Sequence, residues 1–161
     1  MDAYKKGIRN VNVIPSDTDQ FHFQHGELTR NIIGVFYEVY NELGHGFLES
    51  VYANAMALAL REAGFDARQQ APITVMFRGE IVGDFRADLL VENAVMIELK
   101  AAKALEGAHE AQLLNYLRAT DIEVGMLLNF GPKPEFKRLA FDNRRKHRPQ
   151  ITRMNADGKE R

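Results

Sequence analysis

The sequence predicts an α/β (α+β) domain, a mixed central sheet flanked by helices in the order ααβββαββ, from three observations. Two helix-period segments each end on a glycine, Gly44 and Gly64. Strand-period segments on short turns follow, which makes an antiparallel meander. One more helix-period segment then separates the third strand from the fourth and allows a parallel crossover. The chain has 161 residues, 45% apolar and 27% charged, ordinary for one globular domain with one core.

Each element follows from its pattern. Residues 1–26 are polar and aperiodic and read as a loosely ordered N-terminal arm. Glu27 to Leu43 places Leu28, Ile32, Val35, Phe36, Val39 and Leu43 at helical spacing, and Gly44-His45-Gly46 is a turn. A second helix, rich in Ala and Leu, runs from Leu48 to Ala63. Ile73, Val75 and Phe77 alternate with Thr74, Met76 and Arg78 as a strand, and Arg78-Gly79-Glu80 turns the chain. Ile81 to Val91 and Ala94 to Lys100 are the next two strands. A helix from Ala108 to Thr120 precedes a strand from Ile122 to Asn129; Gly131, Pro132 and Pro134 break the chain, and Phe136 to Phe141 is the last strand. The domain therefore spans 27–142, and 143–161 is a basic and polar tail.

Bulk chemistry narrows the setting. There are no cysteines, so disulfides and thiolate metal sites are excluded, which fits a reducing compartment. No apolar run reaches the roughly 18 residues of a membrane span, and the opening MDAYKKGIRN lacks the apolar stretch of a secretion signal. The expectation is a cytoplasmic protein without a membrane partner. A net charge of −1 argues against a passive nucleic-acid binder, but not against an enzyme whose acidic site takes divalent cations. The basic run from Lys137 to Arg148 is compatible both with a solvated tail and with phosphate binding. Oligomeric state is not set by the sequence; a homodimer is compatible with it.

The hairpin from Asp84 to Lys100 carries the most chemistry. Phe85, Ala87, Leu89 and Val91 are expected on one face of the outgoing strand, and Val95, Ile97 and Leu99 on one face of the return strand. Both sets reach one core only if paired residue numbers sum to an even value. A two-residue turn at Glu92-Asn93 would pair Asp88 with Ile97 and split the core. A three-residue turn over Glu92 to Ala94 restores it, with Asn93 preferred over Ala94 for the left-handed position. The other face then carries Asp84, Arg86, Asp88, Glu98 and Lys100. Asp88 and Glu98 would stand side by side, Cβ atoms roughly 5 Å apart. Carboxylates that close repel, which raises at least one pKa unless a cation lies between them, with Lys100 opposing the shift. Oxygen ligands suit Mg²⁺ or Mn²⁺. Lys100 is placed to neutralise charge on a phosphate or to activate water. The same hairpin also fits a surface network of Asp, Glu, Lys and Arg.

Other residues have two readings each. Glu49, in the first turn of the second helix, complements the helix dipole or faces a metal. Gln112 and Tyr116, four apart, share a face that is solvent-exposed or holds a substrate phosphate, while Leu113, Leu114 and Leu117 form the apolar face. Arg86 is a phosphate contact or a surface charge. His22, His25, His45, His109 and His147 show no metal spacing, although His109 shares a helical face with Gln112.

These residues carry a resemblance. Gly46 to Tyr52 matches the G-x-x-E-x-x-Y signature, and with ELGHGFLESVY, DLLVENAVMIELKA, EAQLLNYLRAT and VGMLLNF the chain from Leu28 to Phe141 resembles the GxxExxY proteins, a branch of the PD-(D/E)XK nuclease superfamily. Gln112 to Tyr116 is also similar to the Q-x-x-x-Y motif of RecB-type nucleases. The resemblance implies a restriction-endonuclease-like core and a metal-dependent phosphodiester hydrolase acting on nucleic acid, DNA before RNA. It implies that Asp88 and Glu98 bind metal, with the Leu99 carbonyl as a further ligand and Glu49 completing or orienting the site. Lys100 would be the catalytic lysine, and Gln112 and Tyr116 would position substrate. Tyr40, in EVYNELG, departs from the His usual in the family. Two alternatives stand beside the nuclease: a nuclease-fold protein that binds nucleic acid or protein without cutting, and an unrelated hydrolase or assembly module.

Overall fold

A computed structural model describes residues 25–146. The elements run α1 (Gly26–Leu43), α2 (Glu49–Glu62), β1 (Ala67–Phe77), β2 (Glu80–Val91), β3 (Val95–Lys100), α3 (Gly107–Ala119), β4 (Val124–Phe130) and β5 (Pro134–Ala140), closed by a 3₁₀ turn at Asn143–Arg145. This is the expected order. Among the described residues no helix is long and apolar enough to cross a membrane. The N-terminal arm through Gln24, with His22, and the end of the tail from His147, with Arg148, lie outside the described residues.

The five strands form one sheet in the order β1-β2-β3-β4-β5. β3 and β4 are parallel, joined through α3, and the other neighbours are antiparallel. The sheet is therefore mixed, with each face covered by helix. On one face Ile32, Val35, Phe36 and Val39 of α1 and Tyr52, Met56 and Leu60 of α2 pack on Val95, Ile97, Leu99, Met126 and Leu128. On the other face Leu113, Tyr116 and Leu117 of α3 pack on Met96, Leu127 and Leu90. Odd-numbered β3 residues thus face α1 and α2, and Met96 faces α3; Glu98 and Lys100 continue the α3-side series. Gly125 sits directly under α3, where a Cβ would meet Leu113 Cδ1 at 2.9 Å.

The β2–β3 register pairs Leu89 with Ile97, Leu90 with Met96 and Val91 with Val95. Paired numbers sum to 186 in each case, the even parity that the apolar faces demand. The turn is made by two left-handed residues, Glu92 (φ 52) and Asn93 (φ 51), with Ala94 N–H donating to the Val91 carbonyl at 3.0 Å. Asn93 takes the conformation expected of it; Glu92 shares it, and Ala94 does not. Contacts to Asp66 hold Glu92 there: its N–H donates to the Asp66 carbonyl at 2.8 Å, and its Oε1 accepts from Asp66 N–H at 3.0 Å.

One expectation fails. Leu89 and Val91 pack toward α1 and α2, but Ala87 packs with Leu90 on the α3 side, and the Phe85 ring lies 5.6 Å from that of Tyr116. Phe85, Ala87, Leu89 and Val91 therefore do not share one face. The strand turns over at Asp88. Across from it, β1 does the same: Gln69 bonds Asn54 of α2, whereas Ala71 and Ile73 pack toward α3. The pivot is Gln70, left-handed at φ 55 and absent from a β1–β2 ladder that pairs Gln69 with Leu89 and Ala71 with Ala87. A single αL residue inside a strand shifts the alternation by one and sends later side chains to the opposite face. It also explains why β1 begins at Ala67 although only Ile73 onward shows a strand period.

At the C-terminal end, the basic run is docked by specific contacts. The buried Lys146 ammonium donates to the carbonyls of Thr120 (2.9 Å) and Ile122 (2.8 Å). Asn143 bonds Asp121 and Glu123, Lys137 pairs with Glu110, and Arg118 and Arg145 lie 5.0 and 5.5 Å from the Phe141 ring.

Candidate active site at the fork of β2 and β3

The β2–β3 ladder ends at Leu89–Ile97. Continuing that register sets Asp88 opposite Glu98, but side-chain bonds take over there. Leu99 N–H donates to Asp88 Oδ2 at 2.7 Å, and Asp88 N–H reaches Glu98 Oε1 at a long 3.4 Å. The turnover at Asp88 therefore opens a fork, and the Asp88 carboxylate occupies the gap where the next backbone bond would lie.

The two carboxyl groups are close enough for the charge of Asp88 to raise the pKa of Glu98. Glu98 is the more buried of the two, 5% exposed, and its pKa is pushed up to about 8, first by burial and then by the charge of Asp88, with Lys100 opposing. Asp88 is raised as well, again chiefly by burial, against the pull of the Leu99 N–H. The sequence led to a raised pKa through repulsion; burial is the larger cause.

Lys100 extends from the same strand toward α3. Its Nζ donates to Gln112 Oε1 at 3.0 Å, and Gln112 Nε2 donates to the Tyr116 hydroxyl at 2.9 Å. Gln112 thus holds the lysine and Tyr116, one turn on along the same helical face, holds Gln112. Because Ala87 and Phe85 face α3, alternation puts Arg86 on the opposite side of β2, away from Lys100 and Gln112. The shared face expected for Arg86 and Asp88 is lost through the same turnover. Arg86 instead donates to the Gln70 carbonyl at 3.4 Å. Glu49 is exposed at the start of α2, within electrostatic reach of the pair, since its charge raises the pKa of both Asp88 and Glu98. Among the described residues no three His, Cys, Asp or Glu side chains gather into one metal-holding group.

The loop that presents Glu49 is held by the other signature residues. Gly46 sits at φ 111, a conformation only glycine adopts easily. The Tyr52 hydroxyl donates to the Gly44 carbonyl at 2.8 Å and accepts from Phe47 N–H at 3.2 Å, while its ring stacks on Phe130 at 4.1 Å. Sequence reasoning missed several supports. Asn129, fully buried, clamps Ala102 through both its N–H (2.9 Å) and its carbonyl (3.0 Å), and so fixes the chain just beyond Lys100. A polar residue in the apolar run VGMLLNF was the signal for it. The Tyr40 hydroxyl donates to the carbonyls of Gly131 and Pro132 at 2.8 and 3.0 Å, so it braces the neighbouring loop. His109 closes the N-terminus of α3, where its Nδ1 accepts from Glu106 N–H at 3.1 Å; that ring is committed to capping.

No curated protein matches the chain. The crystal structure of SSO0001 is similar over 78% of this chain, with 13% identity and a TM-score of 0.44, and the match spans 62% of that protein's chain. A family model described as the PD-(D/E)XK nuclease superfamily matches residues 26–139. That span includes the fork, both strands bearing the acidic pair and the helix that holds the lysine. The chain belongs to the PD-(D/E)XK nuclease superfamily, and its mixed sheet with helices on both faces is the restriction-endonuclease-like fold.

Proposed function

We propose that the protein is a cytoplasmic, divalent-metal-dependent nuclease of the GxxExxY branch that hydrolyses phosphodiester bonds in nucleic acid, with DNA as substrate. The observation that carries this reading is the Asp88–Glu98 carboxyl pair in the β2–β3 fork, Glu98 buried and Asp88 half-buried, with the Lys100 charge beside it. Two acids whose ionisation is opposed by burial in one gap are a place where a cation can take the place of a proton. The donors are hard oxygens, which suit Mg²⁺ or Mn²⁺. Asp88 and Glu98 would hold the ion, with Glu49 within electrostatic reach. The Leu99 carbonyl is a further donor, because in extended backbone a residue's N–H and C=O point to the same edge, and the Leu99 N–H points at Asp88.

A bound ion of this kind polarises a phosphate and lowers the pKa of a coordinated water. The protein's own part is positioning. Gln112, itself held by Tyr116, fixes Lys100 so that its ammonium meets the negative charge that grows on the phosphate oxygens. Arg86, on the other side of β2, is available to a phosphate farther along the strand. A second reading, a binding module that does not cut, is favoured by one feature: Tyr40 stands where the family's histidine is expected and directs its hydroxyl to backbone carbonyls.

The test combines calorimetry with cleavage of single- and double-stranded DNA and RNA in Mg²⁺, Mn²⁺ or chelator. The expected result is cation binding that Asp88→Asn abolishes and cleavage that chelator stops. Nucleic-acid binding without cleavage under any metal would leave the second reading in place. Equal cation affinity in wild type and Asp88→Asn would put the metal elsewhere.

A further inference from the structure

Beside the acidic fork, on the α3 side of the sheet, lies a cavity of about 990 Å³, at the upper end of the roughly 300–1,000 Å³ of ligand sites. It is lined by α3, by the β1–β2 hairpin and by the segment from Phe141 to Lys146 that carries Arg145. We infer that this groove seats an unpaired nucleobase, so that the substrate is a single-stranded segment of nucleic acid with one base stacked on Phe85 and Tyr116 and its backbone passing Lys100. The inference rests on the nuclease reading and names its substrate class.

Four observations carry it. The first is continuity: Gln112 and Tyr116 line the groove, and Gln112, itself bonded to Tyr116, accepts from Lys100, so a base in the groove puts its own phosphate near the lysine. The second is the aromatic wall. Phe85 remains 45% exposed although its ring is only 5.6 Å from that of Tyr116, and a half-covered ring against a second aromatic is the form of a stacking platform. The third is polarity. Gln112 and Asn115 border the apolar wall, and amide side chains both donate to and accept from base edges. The fourth is charge. Arg118 and Arg145 line the groove, with no carboxylate among its described lining residues, although the chain as a whole is at −1. Bases stacked inside a duplex cannot enter such a groove; an unpaired one can. The turnover at Gln70 and Asp88 is what places Phe85 here, since strict alternation from Leu89 would have sent it toward α1 and α2.

The test uses the full chain in chelator, to separate binding from cutting. A single-stranded DNA 12-mer carrying one 2-aminopurine, the matching blunt duplex and the RNA 12-mer are titrated against wild type, Phe85→Leu and Phe85→Trp. We expect single strands to bind more tightly than duplex, with 2-aminopurine fluorescence quenched by stacking. Phe85→Leu keeps apolar bulk but removes the π face, and should weaken single-strand binding roughly tenfold and abolish the quench. Phe85→Trp should restore both. Circular dichroism confirms the fold of each variant, and the quench in wild type stands even if a variant fails to fold. Tighter binding to duplex, or single-strand binding with no quench and no response to Phe85→Leu, overturns the inference. In that case metal-dependent cleavage of duplex would leave the nuclease reading intact. Neither binding nor cleavage of any nucleic acid defeats that reading, and the groove assignment falls with it.

Discussion

Glu98 is a carboxylic acid that keeps its proton near neutrality in the absence of a cation, and this makes stability depend on pH in a definite direction. Its pKa moves from an ordinary 4.5 to about 8 on folding, so the folded state binds more protons than the unfolded state between those values. Stability of the metal-free protein should therefore fall as pH rises from about 4.5 to about 8 and level off above. Asp88, also raised, adds to the fall with the same sign. Thermal melts in chelator across this range check it, and Glu98→Gln should flatten the slope. Divalent cations need the ionised pair, so Mn²⁺ should raise Tm more at pH 8 than at pH 5.5. A wild-type slope of the opposite sign would mean that the pair is already ionised and matched by some other charge.

At the scale of elements, the site depends on two local departures from regular structure. Gln70 holds a left-handed conformation in the middle of β1, which costs an L-residue about 1–2 kcal/mol. Gln70→Gly should melt at or above the wild-type temperature, whereas Gln70→Val, β-branched and intolerant of positive φ, should lose about 1 kcal/mol or more. Equal melting of the two variants would show that β1 does not turn over there. In the α1–α2 loop, Tyr52→Phe keeps the stack on Phe130 but removes two hydrogen bonds. The expected cost is about 1–2 kcal/mol and a weaker cation affinity, because Glu49 loses its fixed approach; unchanged affinity would take Glu49 out of the metal site. These departures also mark where the sequence could be read and where it could not. Helical and strand periods, and the parity that sets Asp88 beside Glu98, follow from the apolar pattern alone. The turnover does not: a one-residue shift in alternation leaves the same residues apolar and only changes which helix they meet. Gln70 and Glu92 carry no composition signal for positive φ, since tertiary contacts such as those between Glu92 and Asp66 hold them. Arg86 was misplaced for that reason and Phe85 with it, while Asp88, at the pivot, kept its neighbour.

For the whole molecule, the fold places every group of the candidate site at one end of the central strands. α2 brings Glu49 from one face, α3 brings Gln112 and Tyr116 from the other, and β2 and β3 open between them. Burial is supplied by the layers, while the charged groups stand at the fork, so removing a charge at the fork should leave the layers standing. Lys100→Ala tests this most directly, by comparing its cleavage rate with that of wild type on single-stranded DNA in saturating Mn²⁺, alongside its melting temperature. The account predicts melting near the wild-type temperature with cleavage slower by about a hundredfold or more, the loss of one electrostatic donor worth roughly 3–4 kcal/mol in the transition state. A Lys100→Ala protein that cuts as fast as wild type would contradict it and reduce the Asp88, Glu98 and Lys100 constellation to a charged network at the end of a sheet.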